Sequence, residues 1–167
     1  MKVTRKVLSL LVVLFIGFGT SKAQLSNTSL KIINPTTTWQ YEPGTLEKAS
    51  IAIRPKGAYT EMGMYLEFSA RSVSFSTTEN LEIEYMFRLP EDVIITDSWL
   101  WIDDTTIVRA KILDVWTARG IYEDIVNRRK DPSILYKKSA TDYELRIFPL
   151  PAGKSRKIKL TYLVPNK

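Results

Sequence analysis

The chain reads as mainly β, a β-sandwich-like domain with one α-helix inserted at about 115–130. Three observations carry that reading. Apolar and polar residues alternate in several separate stretches, the period of a strand with one buried face. A single stretch switches to spacings of three and four, the period of a helix. Short turns containing Pro, Gly or Asp separate these stretches, with no long linker between them. The 167 residues are 44% apolar and 25% charged, ordinary values for a globular chain of one domain plus a short extension.

The elements follow in order. Met1-Lys2-Val3-Thr4-Arg5-Lys6 is basic, Val7 to Phe18 is apolar, and Gly19-Thr20-Ser21-Lys22-Ala23 ends in small residues. That is the layout of a secretory signal peptide, with cleavage expected after Ala23, and the apolar run is shorter than the ~20 residues of a membrane span. Residues 24–47 are polar and turn-rich (Asn34-Pro35, Pro43-Gly44) and read as an N-terminal lead-in, with Leu30, Ile32 and Ile33 forming an edge strand. The main domain is expected over 48–167. Ile51 and Ile53 alternate with small or polar neighbours until Arg54-Pro55-Lys56-Gly57 turns the chain, and Met64, Leu66 and Phe68 make the next strand.

Leu81, Ile83, Tyr85, Phe87 and Leu89 alternate strictly with Glu82, Glu84, Met86 and Arg88, which predicts one buried face and one largely wet. Pro90 ends that strand. Val93 to Ile102 is denser in apolar residues, as a strand covered on both faces would be. Asp103-Asp104-Thr105-Thr106 is a turn, and Ile107 to Leu113 begins a further strand. Ala118, Tyr122, Ile125, Val126 and Arg129 then form the helical stripe, which Asp131-Pro132 stops. Tyr143, Leu145 and Ile147 resume the strand period, Pro149 to Gly153 turns, and Ile158, Leu160, Tyr162 and Val164 alternate to the end.

The sequence holds no His and no Cys. Ser-His-Asp and Cys-His triads, imidazole acid–base chemistry, the usual zinc sites, disulfides and iron–sulfur clusters all need one or the other. The net charge of +6 is largely an effect of the leader, which carries Lys2, Arg5, Lys6 and Lys22. Without those four, 20 basic side chains face 18 acidic ones, a net +2 that implies no nucleic acid partner. No second apolar stretch reaches spanning length, so no membrane span is expected after cleavage.

Four groups of residues invite a chemical reading. Glu82 and Glu84 lie on one strand face ~7 Å apart, and carboxylate pairs serve glycosidases, but acidic alternation is also what a solvated sheet face looks like. Asp97, Asp103 and Asp104 could offer oxygens to calcium, although Asp-Asp-Thr-Thr makes a good turn by itself. Trp99 and Trp101 share one strand face with Trp116 further on; exposed, such a row would bind sugars, and the apolar strand favours the core instead. Arg128, Arg129 and Lys130, with Lys137 and Lys138, form two basic clusters that could meet an acidic partner or a polysaccharide. The first cluster also complements the negative end of the helix dipole. No catalytic residue, cofactor site or metal site is expected.

Several segments together resemble a known family. Tyr85-Met86-Phe87-Arg88-Leu89-Pro90 is similar to a strand-ending signature of VIT (vault protein inter-alpha-trypsin) domains. Ala118-Arg119-Gly120-Ile121-Tyr122-Glu123 is similar to that family's helix, and Asp131-Pro132-Ser133-Ile134-Leu135 to the segment after it. Tyr143 to Ile147, the turn through Pro151 and Gly153, and the strand ending at Tyr162 resemble its closing hairpin. The likeness runs from about 59 to 164, and residues 24–58 fit it poorly.

The resemblance implies framework roles for Tyr85, Phe87, Leu89, Pro90, Ala118, Tyr122, Glu123, Asp131, Pro132, Leu135, Pro151, Gly153 and Tyr162, with no catalytic machinery to carry over. It implies a non-enzymatic protein-interaction or scaffold module, expected in the bacterial envelope or the extracellular space. The von Willebrand factor A domain that usually follows, with its Asp-x-Ser-x-Ser metal site, is not in the sequence. A stand-alone module and the front piece of a VIT–von Willebrand A adhesin both stay open, as does a carbohydrate-binding module using Trp99, Trp101 and the basic clusters.

Overall fold

The computed structural model describes residues 28–37, 40–75, 80–109, 111–112 and 133–166. Among them run β1 (Ser29–Ile33), β2 (Tyr41–Pro43), β3 (Thr45–Lys56), β4 (Tyr59–Ser69), β5 (Asn80–Arg88) and β6 (Ile94–Trp101). They are followed by β7 (Ile107–Arg109), β8 (Lys111–Ile112), β9 (Ser133–Lys137), β10 (Asp142–Pro151) and β11 (Ser155–Pro165). A six-stranded sheet has the order β2-β1-β5-β10-β9-β8 and a five-stranded sheet the order β3-β4-β11-β6-β7. Pairing is antiparallel except between β8 and β9, which run parallel.

The period-two pattern sets the faces. Leu81, Ile83, Tyr85 and Phe87 of β5 and Tyr143, Leu145 and Ile147 of β10 point inward, and meet Leu66 and Phe68 of β4, Leu100 of β6, and Ile158, Leu160 and Tyr162 of β11. Each fully buried Leu, Ile or Phe side chain contributes roughly 1.5–3 kcal/mol. Within this core an aromatic row runs Phe68–Tyr85–Phe87–Tyr143, with centroids 5.0, 5.2 and 5.7 Å apart. Such contacts add about 0.5–1.5 kcal/mol each beyond the area they bury. Gly44 links β2 to β3 where the chain passes between the sheets. A Cβ there would lie 2.9 Å from both Ile32 Cδ1 and Leu30 Cγ, so close approach explains the glycine.

Several expectations are corrected. β1 is not an edge strand: it pairs with β2 on one side and β5 on the other, and Ile32 is 0% exposed. The lead-in is therefore part of the sandwich, whose first strand lies well before residue 48. The segment expected as one strand over 107–113 is split, with β7 in the five-stranded sheet and β8 in the six-stranded one. Pro149 and Leu150 do not turn the chain. They lie within β10, at a register shift between Ile147 and Leu150, and the Phe148–Pro149 peptide is cis. Proline has no N–H for the ladder, and a bulge accommodates that. The reversal itself is confined to Ala152-Gly153, with Gly153 at φ +69° and Lys154 N–H donating to Pro151 C=O at 3.0 Å.

The leader expected over 1–23 and the helix expected over about 115–130 fall outside the described residues. So do Trp116, Ala118, Tyr122, Glu123, Arg128, Arg129, Lys130, Asp131 and Pro132.

Candidate functional site

The outward side chains of β5 and β10 form a charged layer. Register places Arg146 opposite Glu84, so its guanidinium reaches along both strands. It donates to Glu82 at 3.1 Å, to Glu84 at 2.9 Å and to Glu144 at 2.7 Å. Lys31 of β1 adds a bond to Glu84 at 2.9 Å, and Lys138 one to Glu144 at 2.8 Å. The Lys31 ammonium is pushed above its ordinary value chiefly by that hydrogen bond to Glu84, with desolvation opposing. Glu82, Glu84 and Glu144 are only 6%, 9% and 3% exposed. The wet face expected for β5 is thus corrected, because its carboxylates are desolvated and tied to cations. A guanidinium lying between Glu82 and Glu84 gives them a structural task rather than the geometry of a general acid and nucleophile.

The outer face of the five-stranded sheet is a different surface. Ser98 and Leu100 point inward from β6, so Trp99 and Trp101 point outward, and both are half-exposed. This corrects the core reading of the two tryptophans, and with it the expectation that this strand is covered on both faces. Cross-strand register sets Trp101 beside Lys157, Glu67 and Lys48, and Trp99 beside Lys159, Tyr65 and Ser50. Arg109 of β7 stacks on Trp99 at 5.7 Å while donating to Asp97 at 2.7 Å, and Lys159 lies 5.3 Å from the Tyr65 ring centre. Between Trp101 and Tyr65 runs an open groove of about 270 Å³, lined also by Lys48, Ser50, Glu67 and Lys157.

The third surface is β3. It forms the edge of the five-stranded sheet, and every residue after Thr45 is exposed. Ile51 and Ile53 pair with Met64 and Met62 on the inward face, yet they are 57% and 67% exposed, because this end of the hairpin extends beyond the buried core.

The remaining predicted residues distribute as follows. Tyr85, Phe87, Leu89, Leu135 and Tyr162 are buried, Pro90 is exposed, Pro151 ends β10, and Gly153 lies in the turn that follows. Lys137 and Lys138 do not form one patch: Lys137 lies over the Tyr143 ring at 5.6 Å, whereas Lys138 joins Glu144 in the outer layer. Asp97, Asp103 and Asp104 do not converge either. Asp97 accepts from Arg109, and Asp103 turns back into its own loop. Among the described residues no group of three or more Asp or Glu side chains is placed to hold a metal ion.

Sequence reasoning missed Arg146, Lys31, Tyr65, Lys157 and Lys159. The alternation of Lys157 and Lys159 with Ile158 and Leu160 does signal an outward face. Only strand register, however, sets those lysines between Trp101 and Tyr65.

The sequence model of the vault protein inter-alpha-trypsin domain matches residues 61–162, more than half of the chain. No curated protein and no solved structure matches the chain. The match begins within β4 and ends within β11, spanning the aromatic core row and most of both sheets; β10 and β11, expected as a closing hairpin, lie in different sheets, so the turn between them carries the chain from one sheet to the other. The chain belongs to the vault protein inter-alpha-trypsin (VIT) domain family.

Proposed function

We propose that the chain is an exported, non-catalytic protein-interaction module whose partner adds to the open edge of β3. The observation that carries this reading is a 12-residue edge strand that keeps Ile51 and Ile53 exposed on a face that is buried elsewhere in the sheet. Strand addition satisfies such an edge with main-chain hydrogen bonds, while alternate side chains supply selectivity. Pro55 and the charges of Glu47, Lys48, Arg54 and Lys56 lie along the same edge and disfavour indiscriminate pairing. The basic, apolar and small-residue layout of residues 1–23 supports export to the cell envelope or the medium. A chain without His or Cys supports a binding role over catalysis.

The test is recovery of partners from envelope and medium fractions with the native protein and with a doubly substituted one. Ile51→Lys with Ile53→Lys is expected to abolish partner recovery while the thermal midpoint stays unchanged, since both side chains are exposed. Equal recovery by both proteins rejects the β3 edge. Intact mass of the native protein supports export if it equals residues 24–167. A much larger mass means that the domain is the front piece of an adhesin.

A further inference from the structure

The geometry points to a second site, on the outer face of the five-stranded sheet, that binds an acidic polysaccharide. Its sugar rings stack on Trp101 and Tyr65, and its carboxylate or sulfate groups meet Lys48, Lys157 and Lys159. This goes beyond the protein-interaction reading and uses a different surface.

The placement comes from register. Trp101 and Tyr65 lie two strands and one rung apart, about 12 Å by strand spacing and rise, so they form two platforms flanking one groove. Aromatic rings at half-exposed positions offer flat apolar surface next to water, which suits the C–H face of a sugar. Apolar surface outweighs polar along the groove, as stacking against a ring face requires, while Lys48, Ser50, Glu67 and Lys157 supply charged and hydroxyl groups along it.

Charge selects the acid. Lys48 and Lys157 outnumber the one carboxylate lining the groove, Glu67, which accepts from Ser155 Oγ at 2.8 Å, and Lys159 adds a third cation beside Tyr65. Asp97 is engaged by Arg109 at 2.7 Å. Asp104 is fully exposed and 3.9 Å from Lys157, too loose a pair to hold that ammonium away from a ligand. Lys159 is already held over Tyr65, so a ring stacked beside it meets a fixed cation without ordering a free side chain.

The experiment is calorimetric titration of the purified protein, at physiological salt, with polygalacturonate, heparin, dextran and polyglutamate. Saturable binding of polygalacturonate or heparin is expected, with dextran silent and polyglutamate at least tenfold weaker. The tighter of the two sugars identifies carboxylate or sulfate as the recognised group. Lys48→Glu with Lys157→Glu and, separately, Trp101→Ala should each weaken binding at least tenfold, while Lys137→Glu, away from the groove, leaves it unchanged. If Trp101→Ala lowers the thermal midpoint, the exposed lysine pair alone decides. No binding of either acidic sugar, polyglutamate binding as tightly, or wild-type affinity in the lysine variant would each overturn the site.

Discussion

Asp103 accepts hydrogen bonds from Thr105 N–H at 2.8 Å, Thr105 Oγ1 at 2.8 Å and Thr106 N–H at 2.7 Å. These bonds favour the ionised form and hold the carboxyl at about 2, against 3.8 in the unperturbed group. A folded-state pKa below the unfolded one means stability that is fully present above pH 3.8 and lost as pH falls through about 2. Asp103→Asn keeps an acceptor oxygen and removes the charge. It should lower the urea midpoint at pH 7 and flatten its fall between pH 4 and 2, so that variant and wild type converge as pH approaches 2; an unaltered acid limb would show that the turn is not linked to folding. The turn was legible because Asp-Asp-Thr-Thr carries its own local hydrogen bonding. The fate of Trp101, two residues earlier, was not, since an apolar ring is equally at home in a core and on a half-exposed sheet face.

The strands β5 and β6 exchanged their expected environments, and the reason lies in what alternation can encode. Glu82 and Glu84 between apolar residues signal that the outward face is polar. They do not say whether water or a guanidinium satisfies it. Arg146, 62 residues from Glu84 in sequence, is the missing partner, and only the pairing of β5 with β10 brings it there. Replacing Arg146 by Met would leave three largely buried carboxylates without their shared cation. Breaking a buried pair costs ~3–5 kcal/mol, and with Arg146 30% exposed the lower end, about 3 kcal/mol, is expected from urea unfolding. Arg146→Lys should recover only part of that loss, because an ammonium cannot fork to three carboxylates along two strands. Adding Glu82→Gln and Glu84→Gln to Arg146→Met should restore stability; if the triple variant is no better than Arg146→Met, the layer is not held by charge. In β6 the opposite holds: apolar density implied two covered faces, although the interior takes Ser98, Leu100 and, in part, Ile95, and leaves Trp99 and Trp101 on the outer face.

At the scale of the whole molecule the family match and the folding unit differ. The matched residues 61–162 leave out β1, β2 and β3, yet β1 fills the space between β2 and β5, with Ile32 at the centre of the core. This was hard to read because the run Leu30-Lys31-Ile32-Ile33 is short and set among Asn, Thr and Pro, the composition of a loop. A chain starting at Thr45 would open the edge of β5, strand Lys31's partner Glu84, and remove Ile32 and Leu30 from the core. The loss of Ile32 alone is comparable to a large-to-small core substitution, about 2–5 kcal/mol, within a total stability of roughly 5–15 kcal/mol for a domain. Residues 45–167 should therefore lose near-ultraviolet circular dichroism or unfold at a much lower urea midpoint, while 24–167 unfolds in one cooperative step. Equal midpoints would make the first two strands an accessory. The expected loss makes them part of the domain, and means that the β3 edge is presented by a sandwich whose first strand must already be in place.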